Sequence, residues 1–228
     1  MRITITVLLS LVLAGCATTR GTPAFHLPQT IPPGFPLEKY ENATGEVYEI
    51  TSSQLTVLVF REGRLKHLGH NHVLTSQMLD GLLHISDDTG FADLFLPVAS
   101  FEVDNPAARA LAGEGFSKQP KYKDIEGTRA NLFGAKVLDA LKYPYVKIHL
   151  ERGLQGINEV QATVTLKGES HKVSIPVSWT VEGNLLRANS AFSLSQQALG
   201  LTPFSILGGA IGVSDELKFE LTLTAQSW

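Results

Sequence analysis

From residue 45 onward, apolar and polar side chains alternate with a period of two, in run after run. Val146, Ile148 and Leu150 interleave with Lys147, His149 and Glu151. Val160, Ala162, Val164 and Leu166 interleave with Gln161, Thr163, Thr165 and Lys167. Val173, Ile175, Val177, Trp179 and Val181 do the same with Lys172, Ser174, Ser178, Thr180 and Glu182. Leu217, Phe219, Leu221 and Leu223 alternate with Lys218, Glu220, Thr222 and Thr224. Successive side chains of a strand point to opposite faces, so each run predicts a half-buried antiparallel strand. Turn signals at Lys167-Gly168-Glu169 and Glu182-Gly183-Asn184 separate neighbours, so hairpin follows hairpin. About eight such strands without parallel crossovers predict an all-β fold, an up-and-down antiparallel eight-stranded barrel, because closure removes the exposed edges.

One stretch breaks the period. Residues 105–140 carry Ala107-Ala108-Arg109-Ala110-Leu111 and then Arg129-Ala130-Asn131-Leu132-Phe133. This composition favours helix. It predicts one or two short helices inserted between strands and covering one end of the barrel.

The N-terminal region has a different character. Met1-Arg2 supplies one positive charge, residues 3–13 are mostly apolar, and Leu13-Ala14-Gly15-Cys16 follows. The apolar run is too short to span a bilayer, which needs about 20 residues, and instead has the form of a secretory signal. Leu-Ala-Gly-Cys resembles the lipobox of bacterial lipoproteins, in which the cysteine is acylated. Residues 1–15 are therefore expected to be a lipoprotein signal peptide, with Cys16 as the point of lipid attachment. Pro23, Pro28, Pro32, Pro33 and Pro36 make residues 16–44 an expected semi-rigid tether, and residues 45–228 the folded domain. The expected setting is the bacterial cell envelope, with Ala17 after the cysteine pointing to the outer membrane, facing the periplasm. Cys16 is the only cysteine, so the domain must hold by packing without disulfides. A net charge of −3 gives no basic footprint and argues against a nucleic-acid partner.

Three ordered segments carry a family resemblance: residues 137–150, "VLDALKYPYVKIHL"; residues 160–179, "VQATVTLKGESHKVSIPVSW"; and residues 191–225, which contain the pair Gly200-Leu201. Together with the opening "GEVYEITSSQLTVLVF" they resemble the YceI-like proteins, which are lipocalin-like barrels of the polyisoprenoid-binding type. The resemblance covers most of residues 45–225. It implies an apolar small-molecule ligand of isoprenoid, quinone or fatty-acid type, held for carriage or storage; no cofactor is expected beside that ligand. Two departures bear on the ligand's head group. Gln196 stands where the family often carries an arginine shortly before the Gly-hydrophobic pair, and the opening hairpin is unusually rich in histidine.

That histidine-rich stretch is "RLKHLGHNHVL", residues 64–74. On a regular strand Leu68, His70, His72 and Leu74 share the inward face, and His67 points out. The pair His70 and His72 admits three roles. It can ligate a metal if a third ligand joins it, which would make the chain a metal-binding protein or metal-dependent enzyme, and His84, His149 and His171 qualify by residue type. Of these, His149 lies on the polar face of its run and His171 in a turn. The pair can be a polar anchor inside an apolar pocket. It can also be a structural pair satisfied by neighbouring strands, since an unsatisfied buried polar group costs roughly 1–3 kcal/mol. Catalysis has little support, because no Gly-x-Ser-x-Gly elbow and no Gly-rich phosphate loop before a helix occurs. The remaining expected pocket residues are Leu55, Val57, Val59, Ile175, Val177 and Trp179, with Phe192 and Phe204 near the mouth. The apolar loop "ILGGAIG", residues 206–212, is either a connection or a lid.

Overall fold

The structure, a computed structural model, describes residues 31–86, 90–152 and 159–227. The expected signal peptide, Cys16 and the larger part of the tether lie outside the described residues.

The chain builds one antiparallel sheet from β1 (Glu46–Glu62), β2 (His72–Ser76), β3 (Asp80–Ile85), β4 (Gly90–Pro97), β5 (Glu102–Val103), β6 (Tyr145–Arg152), β7 (Glu159–Leu166), β8 (Glu169–Pro176), β9 (Ser178–Glu182), β10 (Leu185–Ser195), β11 (Ser205–Ile206) and β12 (Ile211–Ser227). The main path of paired strands is β8-β7-β6-β4-β3-β1-β12-β10-β9. The count exceeds eight because two barrel strands are broken. β2 pairs with residues 55–59 of β1, and β3 pairs with residues 46–49 of the same edge. β8 pairs with β7, and β9 with β10. Two-residue β5 and β11 are satellites of β2 and β12. With each broken pair counted once, eight strands run up and down in sequence order.

Each break has a local cause. Between β2 and β3 the ladder lapses, and the buried Ser53 hydroxyl donates to the Leu79 carbonyl at 2.8 Å in its place. Gly81 follows at φ +145, where any Cβ would run into the Asp93 carbonyl of β4. Between β8 and β9 stands Pro176, which has no N–H to give a ladder. The chain there changes partner within one residue, Val177. β8 is one end of the paired path and β9 the other, so this single chain joins the two edges and closes the barrel. The Ser190 hydroxyl of β10 donates to the Pro176 carbonyl at 2.5 Å across that seam.

The core follows the period-two pattern. Val57, Leu74, Leu94, Ala162, Val164, Val173, Leu186, Leu217 and Leu223 are buried in one cluster inside the barrel. Two smaller clusters lie on its outer face and explain strands that are apolar on both sides. Leu58, Val73 and Phe116 form one beneath α2 (Pro106–Leu111). Val47, Leu82 and Tyr40 form the other beneath α1 (Leu37–Glu41).

The inserted segment is helical as expected, but it divides its work. Asn105 caps α2, its Oδ1 accepting from the amides of Ala107 and Ala108 at 2.9 and 3.3 Å, with Pro106 opening the helix. Through Ala108 and Ala112, α2 packs on the outer face of the barrel. Only α3 (Tyr122–Phe133) covers the interior, with Phe133 in the main core.

The segment 31–44 differs from the expected tether. Phe35 and Tyr40 pack on Val47, Leu82 and Phe91, and Tyr40 is 1% exposed. The Tyr40 hydroxyl donates to Asp93 Oδ2 at 2.8 Å, and Lys147 Nζ to the Pro33 carbonyl at 2.7 Å. Pro32 and Pro33 stand in a turn, where the Phe35 amide donates to the Pro32 carbonyl at 3.1 Å, and Pro36 precedes α1, so this part is not extended chain. The aromatic residues between them had an outer apolar face to cover, which a reading from prolines alone does not register.

Candidate functional site

Inside the barrel is a cavity of about 400 Å³, within the range of small-molecule pockets. Its wall is built from the inward positions of the strands. Leu55, Val57 and Val59 of β1, Ile175 of β8, Val177 between β8 and β9, and Phe192 of β10 all face it, as does Phe204. Phe192 stacks on Phe219 of β12, with ring centroids 5.0 Å apart and planes 8° apart. From α3, Thr128, Asn131 and Leu132 complete the wall.

Trp179 is a correction. It lies beside a separate, smaller cavity of about 90 Å³ with Val177, Leu186 and Ala188, and it is 36% exposed. The alternation of residues 173–181 reads as one strand, but the chain changes partner at Pro176 and Val177. Past that point the period still holds, since Trp179 pairs with Ala188 on the inward face, but that end of the barrel meets the smaller cavity.

The histidine stretch is not a regular strand. Lys66–Leu68 forms a 3-10 turn, Gly69 is extended, and β2 begins at His72. His67 is exposed, and so is Leu68, contrary to its expected inward position. Both His70 and His72 face the cavity, with ring centroids 6.4 Å apart.

Behind His72 lies a buried polar network that spacing alone does not reveal. His72 Nδ1 is 2.7 Å from Asp104 Oδ2. The other Asp104 oxygen accepts from the Val73 amide at 3.0 Å and from Arg109 Nη1 at 2.5 Å. Arg109 also donates to the carbonyls of Asn71 and Lys118, each at 2.7 Å. Asp104 is 1% exposed and Arg109 3%. Asp104 holds φ +56, an uncommon conformation that clusters at functional positions. Burial works to raise the Asp104 pKa. The His72 hydrogen bond, the Val73 amide and the Arg109 guanidinium outweigh it and hold the carboxyl below the usual carboxylate range. The His70 pKa is lowered, first by burial and then by the neighbouring His72. The one sequence signal for this network is Asp104-Asn105-Pro106, a helix start, followed by an arginine on a short alanine-rich helix.

The other histidines are elsewhere. His84 Nε2 meets the Thr44 carbonyl at 2.9 Å, and its ring stacks on Phe91. His149 Nδ1 lies 2.7 Å from Asp93 Oδ1 on the outer surface. His171 is the third residue of β8 and not in a turn, and its ring fills the space where a Cβ of Gly200 would stand. That packing, with φ +68, requires glycine at 200. Among the described residues, no group of three or more His, Cys, Asp or Glu is placed to hold a metal ion, so no third ligand joins His70 and His72.

Gln196 is 5% exposed on the wall and donates through Nε2 to the Ser214 carbonyl at 2.7 Å. The loop 206–212 is a hairpin tip on the cavity rim. Ile206 pairs with Ile211, both on the wall, and the Ala210 carbonyl accepts from the Leu65 amide at 2.8 Å. Leu65, Leu68, Ile206 and Leu207 stand exposed there.

An up-and-down barrel of eight antiparallel strands around an apolar cavity has the lipocalin-like architecture of a binding protein. The family is defined by sequence as well: the profile of the YceI-like domain matches residues 48–225, and the chain belongs to that family. Among solved structures, Burkholderia cenocepacia BcnA is similar at a TM-score of 0.54 and 17% identity, over 76% of this chain and 96% of that one. A polyisoprenoid binding domain from Saccharophagus degradans, implicated in plant cell wall breakdown, is similar at a TM-score of 0.51 and 11% identity, over 79% and 98%. No curated protein matches the chain.

Proposed function

We propose that this protein binds a long apolar molecule of isoprenoid, quinone or fatty-acid type inside the barrel, for carriage or storage in the bacterial cell envelope. The observation that carries the reading is the apolar cavity of about 400 Å³, whose wall is aliphatic and aromatic with a few placed polar groups. Such a surface, removed from water by a ligand chain, contributes roughly 25 cal/mol per Å² of apolar area buried. The exposed rim of Leu65, Leu68, Ile206 and Leu207 gives an apolar ligand a landing surface beside the cavity. The similar polyisoprenoid binding domain supports the ligand class. The protein acts by binding and not by catalysis.

The second part of the proposal is the setting. The Leu13-Ala14-Gly15-Cys16 sequence supports acylation at Cys16 and a tether to the outer membrane, with the barrel in the periplasm. Organic extraction of the purified full chain followed by mass spectrometry tests the ligand, with a stoichiometric apolar lipid as the expected result. Labelled palmitate incorporated by the wild type and not by Cys16→Ala tests the anchor.

A further inference from the structure

The cavity wall has few polar side chains, and several are already committed. Thr128 Oγ1 donates to the Asp124 carbonyl at 2.9 Å, Ser190 Oγ to the Pro176 carbonyl, and Gln196 Nε2 to the Ser214 carbonyl. The two histidines are in a different condition. His70 makes no hydrogen bond with a described residue, and His72 uses only Nδ1.

The proton on His72 is positioned by what lies behind it. An ionised carboxylate only accepts hydrogen bonds. Asp104 receives Val73 N–H and Arg109 Nη1 on one oxygen, so its other oxygen receives Nδ1–H of His72. When the His72 ring is neutral, its single proton is the one held on Nδ1, and Nε2 presents a lone pair. His70, whose pKa burial lowers, is a neutral ring that carries one N–H. The ring centroids are 6.4 Å apart, a spacing that admits one oxygen at about 2.8 Å from a nitrogen of each ring.

We infer that His72 and His70 form a hydroxyl-recognition site, at which a ligand O–H donates to His72 Nε2 and accepts from the His70 N–H, with Asp104 and Arg109 as positioning residues. The inference rests on the proposed reading of the cavity as a ligand pocket. It names the head group as an alcohol or phenol at the end of an apolar chain. A ketone, ether or ester oxygen has no proton to give and leaves Nε2 without a partner. A carboxylate also lacks the proton and sets a negative charge near Asp104.

The test uses the full chain and competition against Nile red, with farnesol and farnesyl methyl ether as matched probes. Farnesol is expected to displace the dye at a concentration about five- to tenfold lower than the ether, the range of one net hydrogen bond. In His72→Phe and in Asp104→Asn the ratio is expected to fall to near one. A purely structural network leaves that ratio unchanged, so a ratio retained in His72→Phe overturns the assignment. A ratio retained in a folded Asp104→Asn overturns the positioning role, and His72→Phe carries the test if Asp104→Asn does not fold. Equal displacement by both probes in the wild type overturns the inference and leaves the pocket reading standing. Displacement by neither probe overturns both. Tighter binding of farnesoic acid than of farnesol overturns the hydroxyl assignment.

Discussion

The Asp104 carboxylate reaches His72 Nδ1 at 2.7 Å although 32 residues separate them in the chain. The contact joins a residue just before α2 to the first residue of β2, and Arg109 on α2 closes it from the other side. Removing one partner of such a buried ion pair strands the other. Asp104→Ala is expected to destabilise the fold by about 3–5 kcal/mol, read from urea unfolding at neutral pH. Asp104→Asn, which keeps the shape, should cost less.

The two shifted groups at this site weaken the fold in acid, in two separate windows. Asp104 has a folded pKa below its ordinary 3.8, so its contribution is present above that value. It is lost as pH falls through the lower folded value. His70 has a folded pKa below its ordinary 6.5, because burial disfavours the charged ring. Its neutral form favours folding above 6.5, and that advantage is lost as pH falls through the lowered value. His70→Gln should flatten the upper limb of a stability-against-pH curve, and Asp104→Asn the lower one. A thermal-melt series from about pH 8 down to about pH 2 reads the two limbs.

Filling the cavity separates binding from folding. Val59→Phe adds volume to a wall position that already faces open space. Overpacking a filled core costs about 1–3 kcal/mol, and here the cost should fall at the low end. Nile red binding should weaken tenfold or more, on the order of 1.4 kcal/mol, while the urea midpoint barely moves.

The segment 31–44 should contribute to stability, because its aromatic residues are buried on the outer face. Tyr40→Phe removes the bond to Asp93 and should cost about 0.5–1.5 kcal/mol. Tyr40→Ala also removes the ring from Phe91 and Val47, and should cost about 3–5 kcal/mol. A plain tether would register neither change in urea unfolding.

The rim hairpin sets stability against access. Leu207 is 70% exposed at φ +51, a conformation that costs an L residue roughly 1–2 kcal/mol. Leu207→Gly should relieve that strain and raise the melting temperature. The same change removes an apolar side chain from the rim, so dye uptake in stopped flow should slow.

The barrel was legible in the chain because inward burial writes a period of two into every strand. Val146 to Leu150, Val160 to Leu166 and Leu217 to Leu223 show it without interruption. The wall positions Leu55, Val57, Val59, Ile175, Val177 and Phe192 followed from the same parity, because one face of a closed sheet has one interior to meet. Local pattern gives the face of a residue but not which cavity that face meets. Trp179 keeps the period of Val173 and Ile175 yet lies past the break at Pro176, beside a different cavity.

By itself the sequence determined the strand pattern, the helical insertion and the family. All of these rest on interactions between residues close in the chain or on a repeated alternation. Only the tertiary structure decided what stands behind the histidines. Asp104 and Arg109 reach His72 from a loop and a helix that strand periodicity does not describe. Their placement depends on α2 packing across Leu58, Val73 and Phe116 on the outside of the barrel. A charge pair buried by such packing leaves no periodic trace, because its partners are brought together by closure of the sheet and not by spacing along it.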